Sequence, residues 1–161
     1  MKQLSIKTLV ISSLGICLVF ASTFLIKIPN GFHGYFNAGD GILFAFATIV
    51  NPFFAFCIGG IGSCFADIIG GYASYALFTL CIKGIEAMIV SYVYNHFKKR
   101  LPSLILASLW MIFGYWLVDA FINQSFWLAT LAVPINIMQA LVGIGIASLL
   151  IPILHKYLKE E

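Results

Sequence analysis

The sequence predicts an all-α integral membrane protein of six transmembrane helices with both termini cytoplasmic, on three observations. The 161 residues are 61% hydrophobic and only 9% charged, against about 25% charged in an ordinary soluble domain. The apolar residues are gathered into long runs separated by short Gly, Pro and Asn breaks, and only helices or closed barrels satisfy a backbone in lipid. Finally, the basic residues sort by side. Lys2, Lys7, Lys98, Lys99, Arg100, Lys156 and Lys159 share one side of a six-span chain, and Lys27 alone falls in an opposite loop, the asymmetry that marks cytoplasmic segments.

The spans are expected near residues 9–26, 41–51, 53–69, 76–94, 104–121 and 131–154, as a single membrane domain over 1–161. Lys2 and Lys7 ahead of the first run imitate a secretory signal, but the run is long and further spans follow, which predicts a retained helix. Asn51-Pro52 separates the second and third spans. Proline cannot continue a helix without losing a donor, so these two form a helical hairpin with a short second arm. Pro134 is expected in the first turn of the last span, where its missing N–H does no harm.

Several function classes are excluded. Six spans leave no room for a soluble catalytic domain, and the basic residues do not form a stripe that could follow nucleic acid. Cys17, Cys57, Cys64 and Cys81 lie in apolar runs without metal-ligand spacing, so neither a disulfide set nor a metal site is expected. The chain has no GxxxxGK[ST] loop to cradle ATP. An intramembrane hydrolase would need Ser63 to meet a histidine, yet His96 and His155 are expected at the cytoplasmic helix ends.

The informative residues are the polar ones inside spans, where a charge costs roughly 2.5–3.5 kcal/mol. Lys83 and Glu86 are three apart and share a helix face. Asp67 and Lys83 form either a structural ion pair between the third and fourth helices or part of a polar pocket floor. Asn136 and Gln139 share a face of the last span, as ligand amides or as interhelical hydrogen-bond glue. The two helix pairs converge if the fourth and sixth spans are neighbours. Trp116, Asp119 and Asn123 stripe the outer end of the fifth span, although solvation alone would explain the last two. Trp127, Tyr72 and Tyr75 join Trp116 near the outer boundary.

The loop from Asn30 to Asp40 mixes glycines, aromatics and His33, a composition suited to a lid that stacks on a ring-shaped ligand. Asp40 is expected to cap the second helix. Along the first span Ser13, Cys17 and Ala21 recur every four residues, a small-xxx-small stripe that lets a partner helix approach closely.

Tyr35-Phe36-Asn37-Ala38-Gly39-Asp40, Phe65-Ala66-Asp67, the segment from Thr79 to Lys83-Gly84, and Pro134-Ile135-Asn136 with Gln139 together resemble the S component of energy-coupling factor (ECF) vitamin transporters. The likeness covers nearly the whole chain and is greatest to the branch taking hydroxymethylpyrimidine or pyridoxine, with riboflavin-binding members next. It implies a multi-pass bacterial plasma-membrane subunit that captures a vitamin at the outer face, with Asn37, Asp40, Tyr75, Lys83, Glu86, Trp116, Asn136 and Gln139 as the substrate-binding set. It also implies a coupling module of one transmembrane protein and two ATPases, docked through Ser13, Cys17 and Ala21. This chain would then be no enzyme and bind no cofactor, ATP and Mg being used by the partner ATPases. A stand-alone ion-coupled carrier is the alternative.

Overall fold

Helix boundaries follow local chemistry in this computed structural model, which describes residues 6–29 and 34–158. The tip of the first loop, including His33, and the terminal Lys2 and Lys159 lie outside the described residues. The Asn51 side chain accepts a hydrogen bond from the Phe54 amide with Pro52 next in line, so one helix ends and another starts within a few residues. Gly71, at φ 86°, turns the chain between the third and fourth helices. Ser125 caps the last helix by accepting from the Leu128 amide.

The elements are α1 (Ile6–Leu25), β1 (Lys27–Pro29), β2 (Tyr35–Asn37), α2 (Gly39–Ala47), α3 (Pro52–Ile69), α4 (Ala73–Phe97), α5 (Arg100–Ile122) and α6 (Phe126–Tyr157). All the helices except α2 are long and apolar enough to cross a membrane. With nine residues, α2 rises only about 13 Å, under half of a roughly 30 Å hydrocarbon core. Of the six helices expected, five are thus long and apolar enough to cross a membrane, and the expected short second arm is a short inner helix. Leu43, Phe44, Ala45 and Ala47 of α2 are wholly buried, as befits a helix that is apolar all round.

Two further expectations change. The last helix starts at Phe126 rather than near 131, so Pro134 sits inside it instead of in its first turn. Such a proline is tolerated in a membrane helix when neighbours satisfy the freed backbone groups. The first loop contains a short antiparallel hairpin, pairing Lys27 with Asn37, Ile28 with Phe36 and Pro29 with Tyr35. Three-residue strands carry too little alternation to stand out in sequence.

Glycines set the helix spacing. A Cβ on Gly59 would fall 2.5 Å from the Lys83 carbonyl oxygen, and one on Gly60 would fall 2.7 Å from that of Leu80. The backbones of α3 and α4 therefore touch. On the other side, Gly41 packs on Ile146 and Gly143 packs on Asp40, which presses α2 against α6. Helices α4 and α6 are bridged by α2, so the expected direct neighbourhood of the fourth and sixth helices is replaced by an indirect one. The N-terminal end of α1 and the C-terminal end of α6 lie away from the hairpin. His155 of α6 meets Thr48 beyond the far end of α2 at 2.9 Å, and α1 reaches the hairpin with its C-terminal end.

Candidate functional site

At the hairpin end, five elements converge on one cavity. Gly34, Tyr35 and Asn37 come from the hairpin region and Asp67 from α3, with Tyr72 just before α4. Tyr75 and Thr79 follow from α4, Tyr115 and Asp119 from α5, and Asn136 and Gln139 from α6. About 410 Å³ of atom-free space lies in and in front of the cavity, open solvent included. Its walls are aromatic and its polar groups are carboxylates, amides and hydroxyls. No lysine or arginine lines it among the described residues.

The polar groups are held in place by one another. The Tyr35 hydroxyl donates to the Asp67 carboxylate, and the Tyr75 hydroxyl donates to Asp119 Oδ1 at 2.8 Å. The Tyr115 hydroxyl donates to Thr79 Oγ1 at 3.1 Å, while the Thr79 hydroxyl bonds Asp67. Gln139 Oε1 accepts from both the backbone N–H and the Nδ2 of Asn37, at 3.0 and 3.2 Å. Asn37 Oδ1 in turn accepts from the Gly39 amide at 2.9 Å. The Asn136 amide has no protein hydrogen-bond partner among the described residues and so remains available to a ligand.

Beneath the cavity lies a buried ionic cluster. Lys83 Nζ reaches Asp40 Oδ1 at 2.5 Å and Glu86 Oε2 at 3.0 Å, and Gln139 Nε2 donates to Asp40 Oδ2 at 2.8 Å. Lys83, Asp40 and Glu86 are each at most 1% exposed. The expected Asp67–Lys83 ion pair is thus corrected: Lys83 binds the carboxylates of α2 and its own helix, and Asp67 is taken by Tyr35. Asp40 does not cap α2 either, because Ala38 is the N-cap and makes no side-chain cap bond. Its carboxylate is drawn to the buried ammonium, where a charge-assisted bond outweighs a capping bond.

Of the residues expected to bind substrate, Asn37, Tyr75, Asn136 and Gln139 line the cavity, whereas Asp40, Lys83 and Glu86 lie behind it. Trp116 lies outside it, between Phe113 and Phe126, with its Nε1 donating to Thr130 Oγ1 at 3.2 Å. Tyr35, Thr79 and Tyr115 were not singled out as site residues by sequence. Spacing could have found the last, since Tyr115, Asp119 and Ile122 share one helix face. The stripe residues Ser13 and Cys17 are exposed and Ala21 is partly so, on the face of α1 opposite buried Gly15, Val19 and Thr23.

On the outer edge, Lys27 Nζ sits over three rings, 4.6 Å from the Tyr35 centroid, 5.0 Å from Tyr72 and 5.2 Å from Phe24. Partial burial lowers its pKa from the ordinary lysine value, opposed by the Asp67 charge. Burial first, and then the Asp67 charge, push the Tyr35 phenol upward, so it stays a hydrogen-bond donor. Among the described residues, no three His, Cys, Asp or Glu side chains group as a metal site requires.

A protein from Pyrococcus woesei, described as an uncharacterized protein in a gap 3' region, is 38% identical over 101 residues. The match covers 60% of this chain and 68% of that protein. A family model described as the ECF-type riboflavin transporter S component matches residues 3–156. With nearly its whole length matched, and with a polar cavity at one end of an apolar helix bundle, this chain belongs to the family of ECF transporter S components.

Proposed function

We propose that this subunit captures a small, uncharged, ring-shaped vitamin or precursor, of the hydroxymethylpyrimidine or pyridoxine kind, in the cavity under the hairpin. The observation that carries this reading is the lining itself: Tyr35, Tyr72, Tyr75 and Tyr115 beside Asp67, Asp119, Asn136 and Gln139. Aromatic faces stack on a planar ring, and carboxylates and amides match its hydroxyl, amino and ring-nitrogen groups. Riboflavin is the second reading, favoured by the description of the matching family.

In this account the hairpin end faces outward and both termini face the cytoplasm of a bacterial plasma membrane. The ligand enters beneath the hairpin, displaces water, and pairs with Asn136 and the remaining N–H of Gln139. Inward delivery is driven by a coupling module of one transmembrane protein and two ATPases, which hydrolyse ATP with Mg. The module docks on the exposed Ser13, Cys17 and Ala21 face of α1, where small side chains permit close helix approach. The ligand reading is tested by isothermal titration of purified protein with pyridoxine, hydroxymethylpyrimidine and riboflavin. Saturable binding of a single-ring compound, lost in Asn136→Ala, supports it. Binding of riboflavin alone transfers the site to the second reading.

A further inference from the structure

We propose that Lys27 is a positioning residue, whose ammonium latches the β1–β2 hairpin over the cavity and fixes the two tyrosine rings that wall it. The proposal rests on the reading that the cavity is the ligand site. A three-residue, two-stranded hairpin is marginal on its own, so tertiary anchors decide where this one lies. β2 has two: Tyr35 donates to Asp67, and Asn37 bonds Gln139. β1 has little else to hold it, because Ile28 and Pro29 are exposed.

Lys27 supplies the missing anchor. Its ammonium lies over both Tyr35, on the neighbouring strand, and Tyr72, at the α3–α4 turn. These rings meet at 4.6 Å between centroids and 57° between planes, and both line the cavity. One cation therefore ties β1, β2 and the α3–α4 turn together, and sets the tilt of two walls. Such contacts strengthen when desolvated, and Lys27 is partly buried. A Cβ on Gly70 would overlap the Lys27 ammonium and also fall 2.5 Å from the Ala66 carbonyl oxygen, so this glycine leaves room for both.

The consequence is mechanical. Ligand entry needs the hairpin to lift, and lifting it must part the Lys27 ammonium from Tyr72 and Phe24, the two rings outside the hairpin. The latch thereby sets how often the roof opens and how far apart Tyr35 and Tyr72 stand when it is closed.

The test is amide hydrogen exchange of the full-length protein in lipid nanodiscs, without ligand, read on peptides spanning 27–37. Lys27→Met keeps the side-chain length and removes the charge, and Lys27→Arg keeps a cation. Lys27→Met should speed hairpin exchange about tenfold, while Lys27→Arg stays near wild type. Exchange in α5 and the thermal midpoint should not move, which separates a local latch from general destabilisation. Hairpin exchange unchanged in Lys27→Met, or equally fast in Lys27→Arg, overturns the proposal. Because no ligand is used, the latch can stand even if the vitamins above fail to bind the wild type, and it can fail while they bind normally.

Discussion

Gln139 Nε2 donates to Asp40 Oδ2 at 2.8 Å across 99 positions of chain, and this contact joins the cavity wall to the buried Lys83 cluster. The same amide presents Oε1 to Asn37, so its orientation is fixed from both sides. One N–H is given to the carboxylate and the acceptor faces the hairpin, which leaves the second N–H for a ligand.

Gln139→Ala should therefore weaken ligand binding by up to about tenfold, since one neutral hydrogen bond is worth about 0.5–1.5 kcal/mol and tenfold is about 1.4 kcal/mol. Gln139→Glu should do worse, because it sets a second carboxylate against Asp40 and loses the donor. Calorimetric titration of both variants checks the order. Equal affinities in Gln139→Ala and wild type would place the ligand away from α6.

Lys83→Ala should be among the most destabilising single changes in the protein. It leaves the Asp40 and Glu86 carboxylates buried without their counter-charge, a situation that costs about 3–5 kcal/mol. Neutralising all three, as Asp40→Asn with Lys83→Met and Glu86→Gln, should recover much of the loss. Thermal unfolding in detergent compares the single and triple variants. A triple variant no more stable than Lys83→Ala would show that the cluster is not an electrostatic unit.

Close helix contact predicts a different pattern for glycines. Gly59→Ala and Gly60→Ala drive a methyl into the backbone carbonyls of Lys83 and Leu80, and overpacking of this kind costs about 1–3 kcal/mol. Gly145→Ala meets nothing within 4 Å and should leave the thermal midpoint unchanged, so it serves as the control.

Much of this arrangement is legible in the sequence, for physical reasons. Long apolar runs and the Asn51-Pro52 break mark helices, because lipid offers the backbone no alternative partner. Buried charges are costly enough that Lys83, Glu86 and Asp67 stand out before any fold is known. Their pairing does not. Which carboxylate reaches Lys83 depends on α2, a nine-residue helix whose apolar run is indistinguishable by composition from part of a span. The cavity walls Tyr35 and Tyr115 give a weaker signal, one through a motif and the other through helical spacing alone, since an aromatic residue in an apolar chain reads as core or as a boundary anchor. Trp116 shows the converse. Its position near a helix end suggested the site, but the rotation of α5 turns it toward Phe113 and Phe126.

The α1 stripe yields a prediction about partners. Cys17→Leu adds bulk on an exposed helix face and should reduce copurification of the coupling protein and its ATPases while leaving ligand affinity unchanged. Partner recovery at wild-type yield would move the docking surface elsewhere on the chain.

The most direct test of the account is to identify and measure what the cavity holds. Protein purified from cells grown in rich medium should release a small heterocyclic vitamin or precursor on denaturation, identified by mass spectrometry. The same compound should rebind the emptied protein at one site per chain, with affinity reduced in Asn136→Ala and Asp119→Asn. Recovery of an anionic compound such as a phosphate ester, or rebinding unaffected by both substitutions, would contradict the assignment of this cavity as the vitamin site.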